Sequence, residues 1–359
     1  LICPVSSPMK LRRNALLCIL IILGFIALFR HLQPSSSQSS VDPKEVPASR
    51  LSNIRTPLTF IEYSDGRALR SGIPFDASLS SYLKSFKIDD ESTYEQKPFK
   101  ADDIVIVMYS NSPHFAKSKA GIMNWRKFAK KNKIVYYDVG LREDERQELR
   151  SVCNLELRTL DFGKYPESVR NLDHYRFKPV VVAEVFAEFP AFLAIDSSIR
   201  FIDGIEPFAE NMSLPGMIPY HVGGPSGHSI YAVTHKSMFG YLPMVDERAY
   251  GEEHCADAGF IRHSQFAKEA VKWNVLCALT TECMGPTGST MWCRFDPDRY
   301  RKYANCHRYD QSAINIIVSS LNEREKNKYT MGRFDIGQWM VNERFDSHGG
   351  PMIGVQCEA

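Results

Sequence analysis

The sequence predicts an α/β fold built on a Rossmann-type, mostly parallel sheet with helices on both faces. Two observations carry this. Between Asp103 and Phe201 short apolar runs alternate with helical patterns, and parallel strands need a crossover, usually a helix, between each pair. Within that stretch Phe192-Leu-Ala-Ile195 is an uninterrupted apolar run closed by Asp196, as in a strand buried on both faces whose end reaches the carboxyl edge of a sheet, where open α/β folds bind ligands. The elements follow in order. Ile104–Met108 is a buried strand, Ser112–Lys131 a helix bearing Trp125 and Phe128, Lys133–Tyr137 a strand, Arg142–Val152 a charged helix and Leu155–Leu160 a third strand. Pro179 suits the first turn of the next helix, with Val181, Val182, Val185, Phe186 and Phe189 at helical spacing. Beyond residue 215 the pattern is less regular, with strands expected at Ser229–Val233 and Thr290–Arg294 and a helix at Gln311–Leu321.

The N-terminal region reads as a membrane attachment. Ala15 to Phe29 carries no charge, follows Lys10, Arg12 and Arg13, and precedes Arg30 and a Ser/Pro-rich tract without a small-residue cleavage site. The basic excess before it keeps the N-terminus cytosolic. The expected organisation is therefore a cytosolic tail (1–14), a signal anchor (15–31), a stem and lead-in packing on the domain (32–100), and an α/β domain (101–359) facing a lumen. With 44 basic and 42 acidic side chains the chain has no charge excess to follow a phosphate backbone, which excludes a nucleic-acid binder. Seven of the nine cysteines lie beyond the anchor. In an oxidising lumen they are disulfide candidates, and at least one bridge is expected among Cys277, Cys283, Cys293 and Cys306, with the pairing open. No Cys-x-x-Cys pair suggests a zinc site. Asn211-Met212-Ser213 is the one glycosylation sequon.

Four groups of residues bear chemistry. Asp196 offers a hard oxygen ligand at the sheet edge, with Ser198 a weaker hydroxyl beside it; the bland reading is a carboxylate that caps the following turn. Arg176 and Lys178 precede a helix whose exposed amides also attract anions, which suits a phosphate grip; the bland reading is a solvated basic face. Asp310 and Gln311 open the helix that buries Ile314, Ile317, Val318 and Leu321, where Asp310 is either a ligand contact or an N-cap. Glu252, Glu253, His254 and Asp257 form a charged cluster that could include an acceptor base or other acceptor contacts; the bland reading, a charged loop, is favoured. Gly223-Gly-Pro-Ser-Gly-His228 fails as a serine hydrolase elbow because His228 replaces the last glycine, and neither a Walker loop nor Gly-x-Gly-x-x-Gly follows the first strand.

Tyr175-Arg-Phe-Lys-Pro179 followed by Phe192–Phe201, together with Asp310-Gln-Ser-Ala-Ile-Asn315, resembles blocks of the glycogenin-like GT-A glycosyltransferases, in which a strand ends in Asp-x-Asp and a later segment reads Asp-Gln-x-x-Leu-Asn. The chain also looks like type II membrane proteins with a nucleotide-diphospho-sugar transferase domain. The resemblance implies a GT-A-like fold and transfer of a sugar from a nucleotide-sugar donor to a glycan or glycoprotein hydroxyl in the Golgi. It implies Mn²⁺ or Mg²⁺ held by Asp196, Ser198 and a late His348, donor contacts from Arg176, Lys178, Tyr109 and Ser110, and Asp310 and Gln311 at the sugar. Ser198 stands where the second Asp of the motif would be. That departure supports the alternative, a non-catalytic lumenal binding protein with a degenerate glycosyltransferase fold.

Overall fold

The computed structural model describes residues 58–214, 217–324, 336, 339–343, 352 and 355. Strands β1 (Ile61–Ser64) and β2 (Arg67–Ser71) form an antiparallel hairpin. Strands β3 (Val105–Ser110), β4 (Ile134–Asp138), β5 (Leu155–Thr159) and β6 (Ala191–Ile195) follow, with β7 (Ile199–Phe201) just beyond. Strands β8 (Tyr220–Val222), β9 (Pro225–Ser229), β10 (Glu252–His254), β11 (Ala258–Arg262) and β12 (Met340–Asn342) complete the set.

A six-stranded sheet in the order β5-β4-β3-β6-β11-β8 is the centre of the fold. β5, β4, β3 and β6 run parallel, whereas β11 is antiparallel to both its neighbours. Every residue of β3, β4 and β6 is buried, which is why these strands read as unbroken apolar runs. The helices Phe115–Phe128 and Glu143–Arg150 bridge β3 to β4 and β4 to β5. One face of the sheet packs on Trp125, Ile122 and Phe208. The other packs on the helices Phe177–Phe186, Gln265–Leu279 and Asp310–Arg324. The residues ahead of β3 join this second core through Phe60, Phe75, Leu79, Leu83, Phe86 and Ile88, with Phe60 edge-on to Trp273 at 5.5 Å.

Two expected strands are corrected. The strand at Ser229 stops there, because Ser229 Oγ accepts the Ala232 amide at 3.0 Å and turns the chain into a short 3₁₀ segment, Tyr231–Val233. Thr290–Arg294 is not a strand but the start of a loop from Thr290 to His307, joined at its ends by the His307 amide on the Thr290 carbonyl and by Cys293–Cys306. A second bridge joins Cys277 to Cys283, so the expected disulfides are present, and all six cysteines from Cys153 to Cys306 are oxidised. Among the described residues no helix is long and apolar enough to cross a membrane; the apolar run Ala15–Phe29 lies outside the described residues.

Candidate active site

The parallel strands turn outward in opposite directions from β3: the chain moves to β4 and β5 on one side and returns to β6 on the other. Such a switch point opens a crevice beyond the carboxyl ends of the strands. A cleft of about 360 Å³ lies there, lined by Tyr109 and Ser110 from the end of β3, Asp196 to Ser198 from the turn after β6, and Lys178, Asp257, Arg308, Asp310 and Gln311.

The cleft floor is an ammonium between two carboxylates. Lys178 Nζ donates to Asp196 Oδ1 at 2.8 Å and lies 3.4 Å from Asp310 Oδ2. Tyr109 Oη donates to the same Asp196 oxygen at 3.3 Å. Burial works against the ammonium, but Asp196 and Asp310 hold the Lys178 pKa well above the ordinary lysine value. Burial raises the Asp310 carboxyl, with Lys178 opposing the rise and Asp196 adding to it. Burial likewise pushes the Tyr109 phenol far up, so it stays protonated as a donor. Asp196 is thus aimed into the cleft and held by a cation, not spent as a cap on its own turn.

Both helices that supply this floor begin at a strained residue. Tyr175 has φ 54° and Tyr309 has φ 44°, in the left-handed region that bulky side chains rarely adopt. Tyr175 leads into the helix carrying Lys178, and Tyr309 directly precedes Asp310. Packing compensates: the His174 ring stacks on Tyr309 at 5.0 Å, and Lys178 Nζ sits 4.8 Å from the Tyr175 ring centre.

Arg176 departs from expectation. Its guanidinium is wholly buried and donates to the carbonyls of Ala278, Thr280, Thr281 and Gly285 at 2.8 to 3.1 Å. It ties the end of the helix Gln265–Leu279 to the cleft wall and does not line the cleft. Gly285 permits this, because a Cβ there would sit 2.5 Å from His174 Nδ1 and 2.7 Å from Arg176 Nη2. Arg176 is therefore a structural tie and no phosphate grip: only Lys178 of the pair faces the cleft.

Behind Gln311 lies a second, sealed polar group. Gln311 Nε2 donates to Glu253 Oε2 at 2.5 Å, and Ser312 Oγ donates to Glu253 Oε1 at 3.3 Å. Glu253 is wholly buried on β10, and burial pushes its carboxyl up to about 8. His228 Nδ1 lies 3.5 Å from the same carboxylate and 3.2 Å from Ser226 Oγ. Both contacts fall on one ring nitrogen, and Ser226 Oγ donates to the Glu253 carbonyl at 2.8 Å, so this is no Ser–His–Glu relay. Asn315 pins the network from below, accepting from the His254 amide at 2.9 Å and donating to the His254 carbonyl at 2.8 Å.

Of the expected site residues, Tyr109, Ser110, Lys178, Asp196, Ser198, Asp310 and Gln311 meet in one cleft. His348 lies outside the described residues. Asn211 sits in the last turn of the helix Ile205–Met212, its side-chain nitrogen donating to the Pro207 carbonyl at 3.1 Å. Asp257, read from sequence as part of a charged loop, lines the cleft; its backbone carbonyl accepts the Asp196 amide at 2.8 Å, so the two carboxylates share one sheet edge. Lys117, His114, Tyr175 and Arg308 also line it, and burial lowers the His114 pKa, which leaves that ring neutral near pH 7. Among the described residues no three His, Cys, Asp or Glu side chains converge as a metal cage.

A family model described as a protein of unknown function, DUF1647, matches residues 63–183. No curated protein matches the sequence. The structure is similar to the galactosyltransferase LgtC in complex with donor and acceptor sugar analogs, at 13% identity over 60% of this chain and 70% of that one, with a TM-score of 0.36. It is also similar to the bifunctional glycosyltransferase WbbM in its apo form, at 12% identity over 70% and 47% of the two chains and a TM-score of 0.37. Mouse xyloside xylosyltransferase 1, apo form, matches at 14% identity over 63% and 84%, with a TM-score of 0.36.

Proposed function

We propose that this chain is a nucleotide-sugar-dependent glycosyltransferase that adds a sugar to a glycan or glycoprotein hydroxyl on the lumenal side of a secretory membrane, the Golgi. The observation that carries the reading is the convergence of Asp196, Lys178, Asp310 and Gln311 in one cleft at the sheet's switch point. Breaking the bond between a sugar and a nucleoside diphosphate leaves charge on the phosphate, so a site for it must supply counter-charge that is already in place. The other half of the task is a polyhydroxyl ring, and Asp310 and Gln311 bring an acceptor and an amide to meet hydroxyl groups. The oxidised cysteines from Cys153 to Cys306 support an oxidising compartment.

The described residues suit a hard divalent cation, Mn²⁺ or Mg²⁺. Such ions take few protein carboxylates and complete their shell with phosphate oxygens and water. Asp196 and Asp257, from adjacent strand ends, and Ser198, which lines the same cleft, provide that donor set. Charge argues the same way: four carboxylates (Asp173, Asp196, Asp257 and Asp310) face three permanent cations (Lys117, Lys178 and Arg308). An incoming diphosphate would deepen that excess unless a cation came with it. A bound ion would neutralise the departing diphosphate.

The test is donor hydrolysis and transfer by the full chain in detergent, against a panel of UDP-, GDP- and CMP-sugars with and without chelator. Asp196→Asn is expected to lower turnover by roughly 10²- to 10³-fold while the chain still folds with reduced stability, because Lys178 keeps only Asp310 as counter-ion; Ser198→Ala is expected to lower turnover by much less. If the wild-type chain neither turns over any donor nor binds one in calorimetry with Mn²⁺ present, the transferase reading is lost.

A further inference from the structure

We propose that Trp292 is the platform of a carbohydrate subsite at the cleft mouth, where its indole stacks on a pyranose ring of the acceptor; this rests on the transferase reading and deepens it. Trp292 lines the cleft and is 75% exposed, the most exposed large apolar side chain among the described residues. The exposed aromatic side chains among those residues are Trp292, Tyr300 and Tyr303, and all three belong to one loop. Isolated exposed apolar residues are ordinary, but three aromatics on a single loop beside a polar cleft are not scattered.

The loop is also held in shape before anything binds. Cys293–Cys306 closes it, the His307 amide donates to the Thr290 carbonyl at 2.7 Å, and the Arg294 amide donates to the Ala304 carbonyl at 2.8 Å. At its base the His228 ring stacks on Phe295 at 5.2 Å, and the Arg299 guanidinium lies 4.2 Å from the same ring centre. Tyr300 Oη donates to Glu252 Oε2 at 2.5 Å. An exposed indole on a fixed support binds without first paying for its own ordering.

The ligand class follows from shape and polarity. An indole offers a flat apolar face, while Asp257, Arg308 and Gln311 in the same cleft offer charged and polar groups around it. A pyranose ring has the matching make-up, one face of C–H groups and a rim of hydroxyls. Trp292 lines the same cleft as Arg308, Asp310 and Gln311, so a ring stacked on it shares that cleft with the residues assigned to the transferred sugar. The Tyr109 and Ser110 side of the cleft is left to the nucleotide.

Fluorescence isolates this residue. The other three tryptophans of the chain, Trp125, Trp273 and Trp339, are at most 8% exposed, so acrylamide quenching of the full chain reports Trp292. Xylotriose, chitotriose, lactose and a chondroitin tetrasaccharide, each at millimolar concentration, serve as probes. At least one is expected to shield Trp292 from quencher and shift its emission to the blue; the variants, which lack this indole, are read by kinetics, where Trp292→Phe keeps a flat aromatic face and is expected to lie between wild type and Trp292→Ala. The Ala variant is further expected to raise the KM for the shielding sugar about 10-fold, equal to about 1.4 kcal/mol, with donor KM unchanged. Shielding by none of the sugars, or equal shielding by UDP or GDP alone, overturns the subsite while leaving donor hydrolysis as an independent measure of the transferase reading. Sugar shielding without donor turnover would retain the subsite and sink the enzyme.

Discussion

The cleft floor and the sealed group behind it treat buried carboxylates in opposite ways. Asp196 and Asp310 share an ammonium, Lys178. Glu253, a short distance behind, takes an amide from Gln311 and a hydroxyl from Ser312. Burying an ionised group is tolerable when a partner ion compensates it, and otherwise the group neutralises instead. The floor compensates charge; the sealed group suppresses it. Asp310 and Gln311 are neighbours in sequence, so the changeover occurs within one turn of one helix. The consequence is a cleft wall that stays charged where a diphosphate must be met, and an anchor for Gln311 that adds no further charge.

The largest effect is expected from breaking the compensated side. Lys178→Met leaves Asp196 and Asp310 without their cation, and removing one member of a buried ion pair typically costs about 3–5 kcal/mol. Urea unfolding should show a loss of that order, and donor turnover by the folded fraction should fall by orders of magnitude. Adding Asp310→Asn should recover part of the lost stability, since one orphaned charge is then removed. A Lys178→Met variant as stable as wild type would erase the contrast between the two groups.

Arg176 provides a third case, and a smaller expected effect. It is compensated by four carbonyl dipoles, with no carboxylate among its bonds. Arg176→Ala orphans those carbonyls and is expected to destabilise by about 3 kcal/mol. Arg176→Lys, which lacks the planar fork, should recover only part. The folded protein should keep its donor KM, since Arg176 does not reach the cleft. A raised donor KM without loss of stability would restore the phosphate grip.

Much of this was legible in the sequence, and the failures have physical causes. The unbroken apolar runs of β3, β4 and β6 announced a buried parallel sheet, and Asp196 followed from the rule that ligands gather where such strands end. Arg176 and Lys178 were read as one grip, yet side chains two positions apart on a helical turn do not share a face. Asp257 was missed for a different reason. It precedes β11, and because β11 runs antiparallel to β6, the start of that strand lies at the same edge as the end of its neighbour. Looking only after strands overlooks such a residue. Glu253 gave no signal, since a glutamate among Glu252, His254 and Asp257 reads as solvated, and its burial is created by the distant helix Asp310–Arg324 packing over β10. Trp292, Tyr300 and Tyr303 gave no signal either, since their shared exposure on one loop is a property of the fold and not of their spacing.

The suppressed side yields the mildest prediction and the clearest sign. Glu253 has an ordinary carboxyl value of 4.5 and is pushed to about 8 in the fold. Between these values the folded chain holds a proton that the unfolded chain has released, so stability must fall as pH rises through that window. The group's contribution is complete below about pH 4.5 and is lost by about pH 8. Several charged and titratable groups surround Glu253. His228 is lowered to about 4 by burial and so stays neutral throughout the window, whereas Arg308 pulls the Glu253 value down and Asp310 pushes it up. Glutamine imitates the protonated acid without titrating. Glu253→Gln is therefore expected to match wild type near pH 5 and to exceed it near pH 8 by on the order of 1–3 kcal/mol, read from urea midpoints across the range. Turnover should change little near pH 5, where both side chains are neutral and both hold Gln311. If instead the variant loses stability equally at every pH, Glu253 is ionised in the fold, and the second group compensates its charge just as the first does.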